Sequence, residues 1–145
     1  MMKSITLDMD GTFVNLYGVE NWLEDLRAER VRPYVEARPL VNLSSLARVL
    51  NILHRKGWTI NIVSWTSRGG SLEYNKAVAA AKREWLARHM PSVKFDNIYI
   101  IDYGTPKNTY GNGILFDDEE HNRNEWPGPA YSEKNLIFNL MALYK

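Results

Sequence analysis

Near the N-terminus the sequence runs Ile5-Thr6-Leu7-Asp8-Met9-Asp10-Gly11-Thr12, so that an apolar segment passes directly into two acids and a glycine. The apolar segment predicts a short buried strand, and Gly11 predicts a turn at its end. Acidic residues are disfavoured in central strands and are costly to bury without a partner. Asp8 and Asp10 therefore indicate a bound cation or a chemical role.

Length and composition limit the alternatives. The chain has 145 residues, enough for one sizeable core, and we expect residues 1–145 to form a single domain. A formal net charge of +1 provides no global field for nucleic acid or a membrane, and we expect no membrane partner. The absence of cysteine excludes disulfides and thiolate metal sites. No apolar stretch approaches the roughly 18 residues of a membrane helix. The sequence becomes strand-like within its first residues and shows no apolar core of the length typical of a signal peptide. We therefore expect a cytoplasmic protein.

Apolar segments alternate with helical patterns along the rest of the chain. Further strands are predicted at 59–63, 97–101 and 113–116, the first ending at Ser64 and the last at Asp117. Helices are predicted from Leu43 behind the N-cap Asn42, over about 72–90, and near the C-terminus behind the cap Ser132. In the long helix we expect one apolar side, formed by Tyr74, Val78, Ala81, Trp85 and Leu86. Residues 13–41 are predicted to be irregular, apart from a short helix around 20–29.

This alternation predicts the α/β class, with a Rossmann-like parallel sheet in three layers and helices on both faces. Open sheets of this kind bind ligands beyond the carboxyl ends of their strands. Asp8, Ser64 and Asp117 all stand at predicted strand ends. We therefore expect one site at that edge of the sheet.

The residues at these ends suggest phosphoryl chemistry. Carboxylates from Asp8, Asp10, Asp117 and Asp118 would repel one another unless a hard cation such as Mg²⁺ neutralised them. A carboxylate beside Mg²⁺ can attack a phosphoryl group and form an aspartyl-phosphate, while a second acid protonates the leaving oxygen and later activates water.

A hydroxyl and a lysine are expected to hold the phosphoryl oxygens. The hydroxyl is Ser64, and the favoured lysine is Lys107, in Thr105-Pro106-Lys107 after the third strand. Lys82 is the rival, but it lies in the middle of a predicted helix, where we expect a solvated charge.

Three segments resemble motifs I, II and IV of the haloacid dehalogenase superfamily, in the family's order and across essentially the whole chain. They are Asp8-Met9-Asp10-Gly11-Thr12, residues 60–64, and Ile114-Leu115-Phe116-Asp117-Asp118. The resemblance implies that Asp8 is the nucleophile and Asp10 the general acid and base. It also implies that Mg²⁺ is held by the Asp8 side chain, the Asp10 backbone carbonyl and Asp117, and that Ser64 and Lys107 bind phosphate. In Ser64-Trp65-Thr66-Ser67-Arg68, Thr66 competes with Ser64 for that role.

The intervals between the motifs leave no room for a large cap domain. The chain thus resembles the capless or minimally capped branch, which includes small phosphatases and nucleotidase-like proteins of bacteria and phages. A capless site is open, and it accepts bulky substrates or is closed by a neighbouring subunit, which makes a homo-oligomer an expected arrangement. We expect Trp65 to pack in the core and the segment 17–38 to form a solvated flap, because its acids offset its arginines.

The predicted function is Mg²⁺-dependent hydrolysis of a phosphomonoester, with a phosphorylated small molecule, a nucleotide or a nucleic-acid end as substrate. The alternative is a non-catalytic module that binds metal and phosphate in regulation or assembly; the second acid, Asp10, argues against it. A phospho-acceptor domain like a response regulator is a third hypothesis. The order of the acids and the Gly11-Thr12 pair argue against this third hypothesis.

Overall fold

The computed structural model describes residues 3–145. Its strands are β1 (Ser4–Leu7), β2 (Val14–Asn15), β3 (Arg38–Pro39), β4 (Thr59–Trp65), β5 (Asn97–Ile101), β6 (Ile114–Phe116) and β7 (Ala130–Tyr131). Its α-helices are α1 (Trp22–Arg27), α2 (Arg32–Glu36), α3 (Leu43–Arg55), α4 (Leu72–His89), α5 (Glu120–Glu125) and α6 (Leu136–Met141). Short 3-10 helices span Leu16–Gly18 and Lys107–Thr109.

Five strands form one parallel sheet in the order β5-β4-β1-β6-β7. The central strand β1 is buried along its whole length, as expected for a sheet covered on both faces. Leu7 is level with Ile62 of β4 and with Phe116 of β6. The residues that follow these strands therefore emerge at the same edge. The predicted α/β class, with a parallel sheet flanked by helices in a Rossmann-like arrangement, is confirmed.

The two faces of the sheet are covered differently. Alternate residues such as Ile5 and Ile60 form the main hydrophobic core with apolar side chains of α3, α4 and α6. On the other face, Gly111 lies so close to Thr6 and Val63 that an added Cβ would stand 2.8 Å from the Thr6 methyl carbon. The covering layer over these two residues is the segment around Lys107–Thr109, which contains only a short 3-10 helix.

Helix caps are partly as predicted. The Asn42 side chain accepts a hydrogen bond from the Ser45 backbone N–H at 3.0 Å and begins α3. Ser132 does not cap the last helix, so that prediction is wrong. The N-cap of α6 is Asn135, in the left-handed conformation with φ 57°. The Ser132 hydroxyl instead accepts from the Lys134 backbone N–H at 3.3 Å, which closes a local turn before the helix.

Residues 13–41 are more ordered than predicted. β2 and β3 pair antiparallel, and α1 and α2 lie between them in the chain. We call residues 16–36 the roof segment. Its Leu16 and Tyr34 form a second hydrophobic cluster with Tyr74, Val78 and Ala81 of α4. Most of residues 17–38 are exposed, as expected of a solvated segment, but Leu16 and Tyr34 attach it to α4.

The apolar residues of α4 do not serve a single core. Trp85 and Leu86 belong to the main core, whereas Tyr74, Val78 and Ala81 pack against the roof segment. The predicted apolar side is confirmed, since all five residues are buried on one face of the helix. Along its length this face contacts the roof segment first and the main core second.

Candidate functional site

Asp8, Ser64 and Asp117 meet at the carboxyl edge of the sheet. Asp8 follows β1, Ser64 lies one residue before the end of β4, and Asp117 follows β6. The Asp8 backbone N–H donates to the Phe116 carbonyl at 3.0 Å, which holds the ends of the two central strands together. All three polar residues are buried.

A buried lysine connects the carboxylates of Asp8 and Asp117. Lys107 Nζ lies 2.6 Å from Asp8 Oδ1 and 2.8 Å from Asp117 Oδ2, and its side chain is 3% exposed. Burial by itself would lower the pKa of Lys107, but the two carboxylates outweigh burial and raise this pKa above its ordinary value. The ammonium group is therefore charged across the physiological range.

Asp118 completes a compact group of acids. One carboxylate oxygen each from Asp8, Asp117 and Asp118 lies within 4.8 Å of the others. Burial and the charge of Asp8 raise the pKa of Asp117 to about 6 and that of Asp118 to about 8. Gly11, with φ 83°, makes this approach possible, because a Cβ at this position would collide with the Asp118 carboxylate. The donor set is all oxygen and suits a hard divalent cation such as Mg²⁺.

The Asp10 side chain is not part of this group of acids. Its Oδ2 accepts a hydrogen bond from Lys82 Nζ at 2.7 Å. Burial raises the pKa of Asp10 above 3.8, and Lys82 opposes that rise. Within residues 3–145, the cluster of carboxylates that could hold a metal consists of Asp8, Asp117 and Asp118. The side chain of Asp10 is thus outside the acid cluster, and its backbone carbonyl is the group that the family resemblance assigns to the metal.

Lys82 is not a solvated charge, so that expectation is wrong. Its side chain is 3% exposed, and its Nζ also donates to Ser64 Oγ at 2.7 Å and to the Trp65 carbonyl at 2.6 Å. Helix α4 carries Lys82 on its inner side, where the flexible stem reaches the sheet edge. An ammonium group has three N–H donors, and all three of Lys82 are engaged.

Lys82 and Lys107 therefore differ in the number of N–H donors that remain free for a ligand. Among the described residues Lys107 donates to two acceptors, which leaves one N–H for a further ligand. Lys82 would have to release Asp10, Ser64 or the Trp65 carbonyl before it could bind a phosphoryl oxygen. This difference favours Lys107 as the lysine that meets an incoming anion.

Thr66 lines a cavity and has an unused hydroxyl. It is 6% exposed, and no group within residues 3–145 hydrogen-bonds its Oγ1. Buried polar atoms are rarely left unpaired without a reason. Ser64 accepts from Lys82 and keeps its own O–H as a donor. Both residues line the same cavity, so each remains a candidate ligand for an anion.

The roof segment closes one side of a cavity of about 440 Å³ above Asp8 and Asp10. Lys107, Ser64 and Thr66 lie at its inner end, and apolar and aromatic side chains surround its outer part. The expectation that Trp65 packs in the core is wrong: this half-buried ring lines the cavity, and its Nε1 donates to the Thr105 carbonyl at 2.8 Å. The roof segment therefore forms the wall of the cavity that lies opposite the sheet edge, and this wall belongs to the same chain.

Two residues of the site were not assigned a role from the sequence. The Thr12 hydroxyl donates to Asp8 Oδ2 at 3.0 Å and accepts from the Asp118 backbone N–H at 3.2 Å. The Asn122 amide donates to Asp117 Oδ2 at 3.1 Å. The position of Thr12 beside Gly11 was a usable signal. The sequence around Asn122 contains no comparable signal, because its contact with Asp117 depends on where helix α5 begins.

Comparisons with known proteins add little to this geometry. No protein-family model and no curated protein matches the chain. Among solved structures, the crystal structure of a protein target from Vibrio cholerae is similar over 99% of this chain and 100% of its own, with 19% sequence identity and a TM-score of 0.49. A similarity at this level carries no argument about function. No helix within residues 3–145 is both long and apolar enough to cross a membrane.

Proposed function

We propose that this protein is a Mg²⁺-dependent phosphomonoester hydrolase of the haloacid dehalogenase type, acting through an aspartyl-phosphate. The observation that carries the proposal is the setting of Asp8. Asp8 lies at the inner end of a cavity, accepts a hydrogen bond from Lys107, and has the carboxylates of Asp117 and Asp118 close by.

Mg²⁺ would be held by Asp8, Asp117 and Asp118, together with the Asp10 backbone carbonyl that the family resemblance implies. The fit rests on the three oxygens within 4.8 Å of one another and on the burial that makes their charges costly. When bound, the cation neutralises the carboxylates and withdraws charge from the phosphoryl oxygens.

The chain's own groups account for both half-reactions. An Asp8 oxygen attacks phosphorus, the new O–P bond forms, and the bond from phosphorus to the leaving oxygen breaks. Asp10 in its carboxylic acid form gives its proton to that oxygen, which leaves as an alcohol. Water then attacks the phosphorus of the aspartyl-phosphate, and the Asp10 carboxylate accepts the proton. Inorganic phosphate leaves and the Asp8 carboxylate is restored.

Lys107 and the hydroxyls of Ser64 and Thr66 would bind the phosphoryl oxygens. Lys107 has one N–H left, Ser64 keeps its O–H, and Thr66 has an unused hydroxyl. Donors aimed at developing negative charge stabilise the transition state. The aromatic side chains around the outer cavity support a nucleotide or a nucleic-acid end as substrate.

Substitution of the nucleophile tests this proposal. Asp8→Asn removes the attacking oxygen and keeps the shape of the side chain, so Mg²⁺-dependent hydrolysis of p-nitrophenyl phosphate should fall to background. Asp102→Asn, at an exposed position after β5, is the matched control and should keep activity. Beryllofluoride with Mg²⁺ should bind the wild type and not Asp8→Asn.

Three outcomes would separate the hypotheses. Substantial turnover by a pure, folded Asp8→Asn protein would contradict the covalent mechanism. Binding of Mg²⁺ and inorganic phosphate without turnover on a broad panel of phosphomonoesters would favour the non-catalytic module. In a structure with Mg²⁺, octahedral oxygen ligation at about 2.1 Å is expected, and an ion that does not contact Asp8 would contradict the proposed site.

A further inference from the structure

The outer part of the cavity has an aromatic pair on each side. On the roof segment, the rings of Tyr17 and Trp22 lie 5.0 Å apart with an interplanar angle of 73°. Beyond the sheet edge, the rings of Trp65 and Tyr103 lie 4.8 Å apart at 53°. All four side chains line the cavity that leads down to Asp8.

These aromatic side chains do not belong to either hydrophobic cluster of the described residues. Tyr17 is 47% exposed and Tyr103 46% exposed, so packing does not explain them. Aromatic groups that border a cavity provide flat apolar surface for a ligand. The Arg68 guanidinium lies 5.9 Å from the centre of the Tyr103 ring and extends the same wall.

The roof segment is firmly attached, so the separation of the two walls is built into the fold. Tyr74 Oη donates to the Arg30 carbonyl at 2.8 Å, and the Ser71 hydroxyl donates to Glu29 at 2.6 Å. Trp85 Nε1 donates to the Ala37 carbonyl at 2.8 Å just beyond the segment. A volume of about 440 Å³ is in the usual range for sites that bind one small molecule.

The charges around the cavity favour one nucleotide over a strand. Arg30 and Arg32 of the roof segment both donate hydrogen bonds to Asp25, at 3.1 and 2.7 Å, so that this carboxylate offsets part of their charge. Arg27 and Arg68 are the arginines that line the cavity. Proteins that bind single strands combine aromatic stacking with an extended basic groove. Among the residues that the structure describes, two arginines beside the stacking surface are too few to form such a groove at this cavity.

We propose that the outer part of this cavity, between the pairs Tyr17–Trp22 and Trp65–Tyr103, binds the base of a nucleoside monophosphate. This inference rests on the proposed function, since it places the phosphate at Asp8 and Lys107. Base–aromatic stacking contributes on the order of 1–3 kcal/mol per base, which corresponds to about 5- to 150-fold in affinity.

Binding to the Asp8→Asn protein tests the inference without any need for turnover. With Mg²⁺ present, calorimetric titration should show nucleoside 5′-monophosphates binding about 10-fold or more tightly than ribose 5-phosphate, which has the same phosphoester and no base. Adding Tyr17→Ala or Tyr103→Ala should reduce that ratio several-fold. Adding Phe138→Ala, at a 71% exposed position on α6 outside the cavity, should leave the ratio unchanged.

Several results would overturn the inference. They are equal affinity for ribose 5-phosphate and the nucleotides, tighter binding of a 5′-phosphorylated oligonucleotide, and tighter binding of pyridoxal 5′-phosphate or O-phosphotyrosine. Failure of the proposed function is distinguishable. Base-dependent binding without hydrolysis by the wild type would contradict the phosphatase alone, whereas hydrolysis without base preference would contradict the base site alone.

Discussion

Lys82 and Lys107 are both buried lysines at the same sheet edge, and their bonding assigns them different tasks. Lys82 holds Asp10, Ser64 and the Trp65 carbonyl at once, so it fixes the acid relative to β4. A fully satisfied buried network of this kind rigidifies its members. Lys107 has a donor to spare. In the proposed mechanism Lys82 is therefore a positioning residue and Lys107 a phosphate ligand.

Replacing each lysine should produce a different kinetic defect. Lys107→Met removes a charged donor from the transition state and should lower kcat/KM by roughly 10²–10³-fold for alkyl and aryl phosphates alike. Lys82→Met should lower kcat more for an alkyl phosphate than for p-nitrophenyl phosphate, because Asp10 loses its orientation and the aryl leaving group barely needs a proton. Lys76→Met, exposed on the same helix, is the control. Identical profiles for the two buried variants would contradict the assignment.

The role of Asp10 can be isolated in the first half-reaction. General acid catalysis contributes roughly 10²–10⁴-fold, mostly for poor leaving groups. Asp10→Asn should therefore slow single-turnover cleavage of an alkyl phosphate far more than that of p-nitrophenyl phosphate. Equal losses on both substrates would mean that Asp10 only orders the loop and supplies a backbone carbonyl.

At the scale of elements, helix α4 determines whether the site is open or enclosed. One part of it packs on the sheet through Trp85 and Leu86, and another holds the roof segment through Tyr74 and Val78. Short helices such as α1 and α2 are marginal by themselves, so their order depends on this contact.

Weakening the contact should loosen the roof segment alone. Tyr74→Phe removes the hydrogen bond from a buried phenol to the Arg30 carbonyl, which contributes about 0.5–1.5 kcal/mol. Hydrogen exchange should become faster in residues 22–36 and stay unchanged in β1 and β4. Tyr110→Phe, at a 48% exposed position, is the matched control. Uniformly faster exchange would show that the roof segment is not a separate unit.

At the scale of the whole molecule, the acid cluster links stability to pH and metal. In the folded protein the pKa of Asp118 is raised to about 8 from 3.8, so above pH 4 the folded state holds a proton that the unfolded state has lost. The free energy of unfolding of the metal-free protein should therefore fall as pH rises toward 8. His89, whose pKa is lowered from 6.5 by burial, acts in the opposite sense at lower pH.

Denaturant unfolding from pH 6.5 to 8 in a chelator checks this prediction. The wild type should lose stability across the window, and Asp118→Asn should lose less. If the cluster is the proposed metal site, Mg²⁺ should raise stability most at pH 8, where the folded cluster is most deprotonated. A wild type whose stability is flat over this window without metal would contradict the raised pKa of Asp118.

The sequence by itself determined the frame of the site. Strand ends are local patterns, and a parallel sheet brings the ends of neighbouring strands to one edge, so the pattern alone is enough to group Asp8, Ser64 and Asp117. The same reasoning identified Asn42 as a cap. The prediction that Ser132 caps the last helix was wrong, because Asn135, in the left-handed conformation, is the N-cap of α6.

Only the tertiary structure decided which lysines and which cavity wall complete the site at the edge of the sheet. Lys82 reaches Asp10 from 72 positions away, and Lys107 reaches Asp8 from 99, because of how a helix and a loop pack on the sheet. The apolar side chains of the roof segment are spaced unevenly among charged residues, so its sequence shows no single helix or strand period. They become a wall of the cavity only against α4. Contacts between segments distant in sequence depend on packing and loop closure, and no local pattern records them.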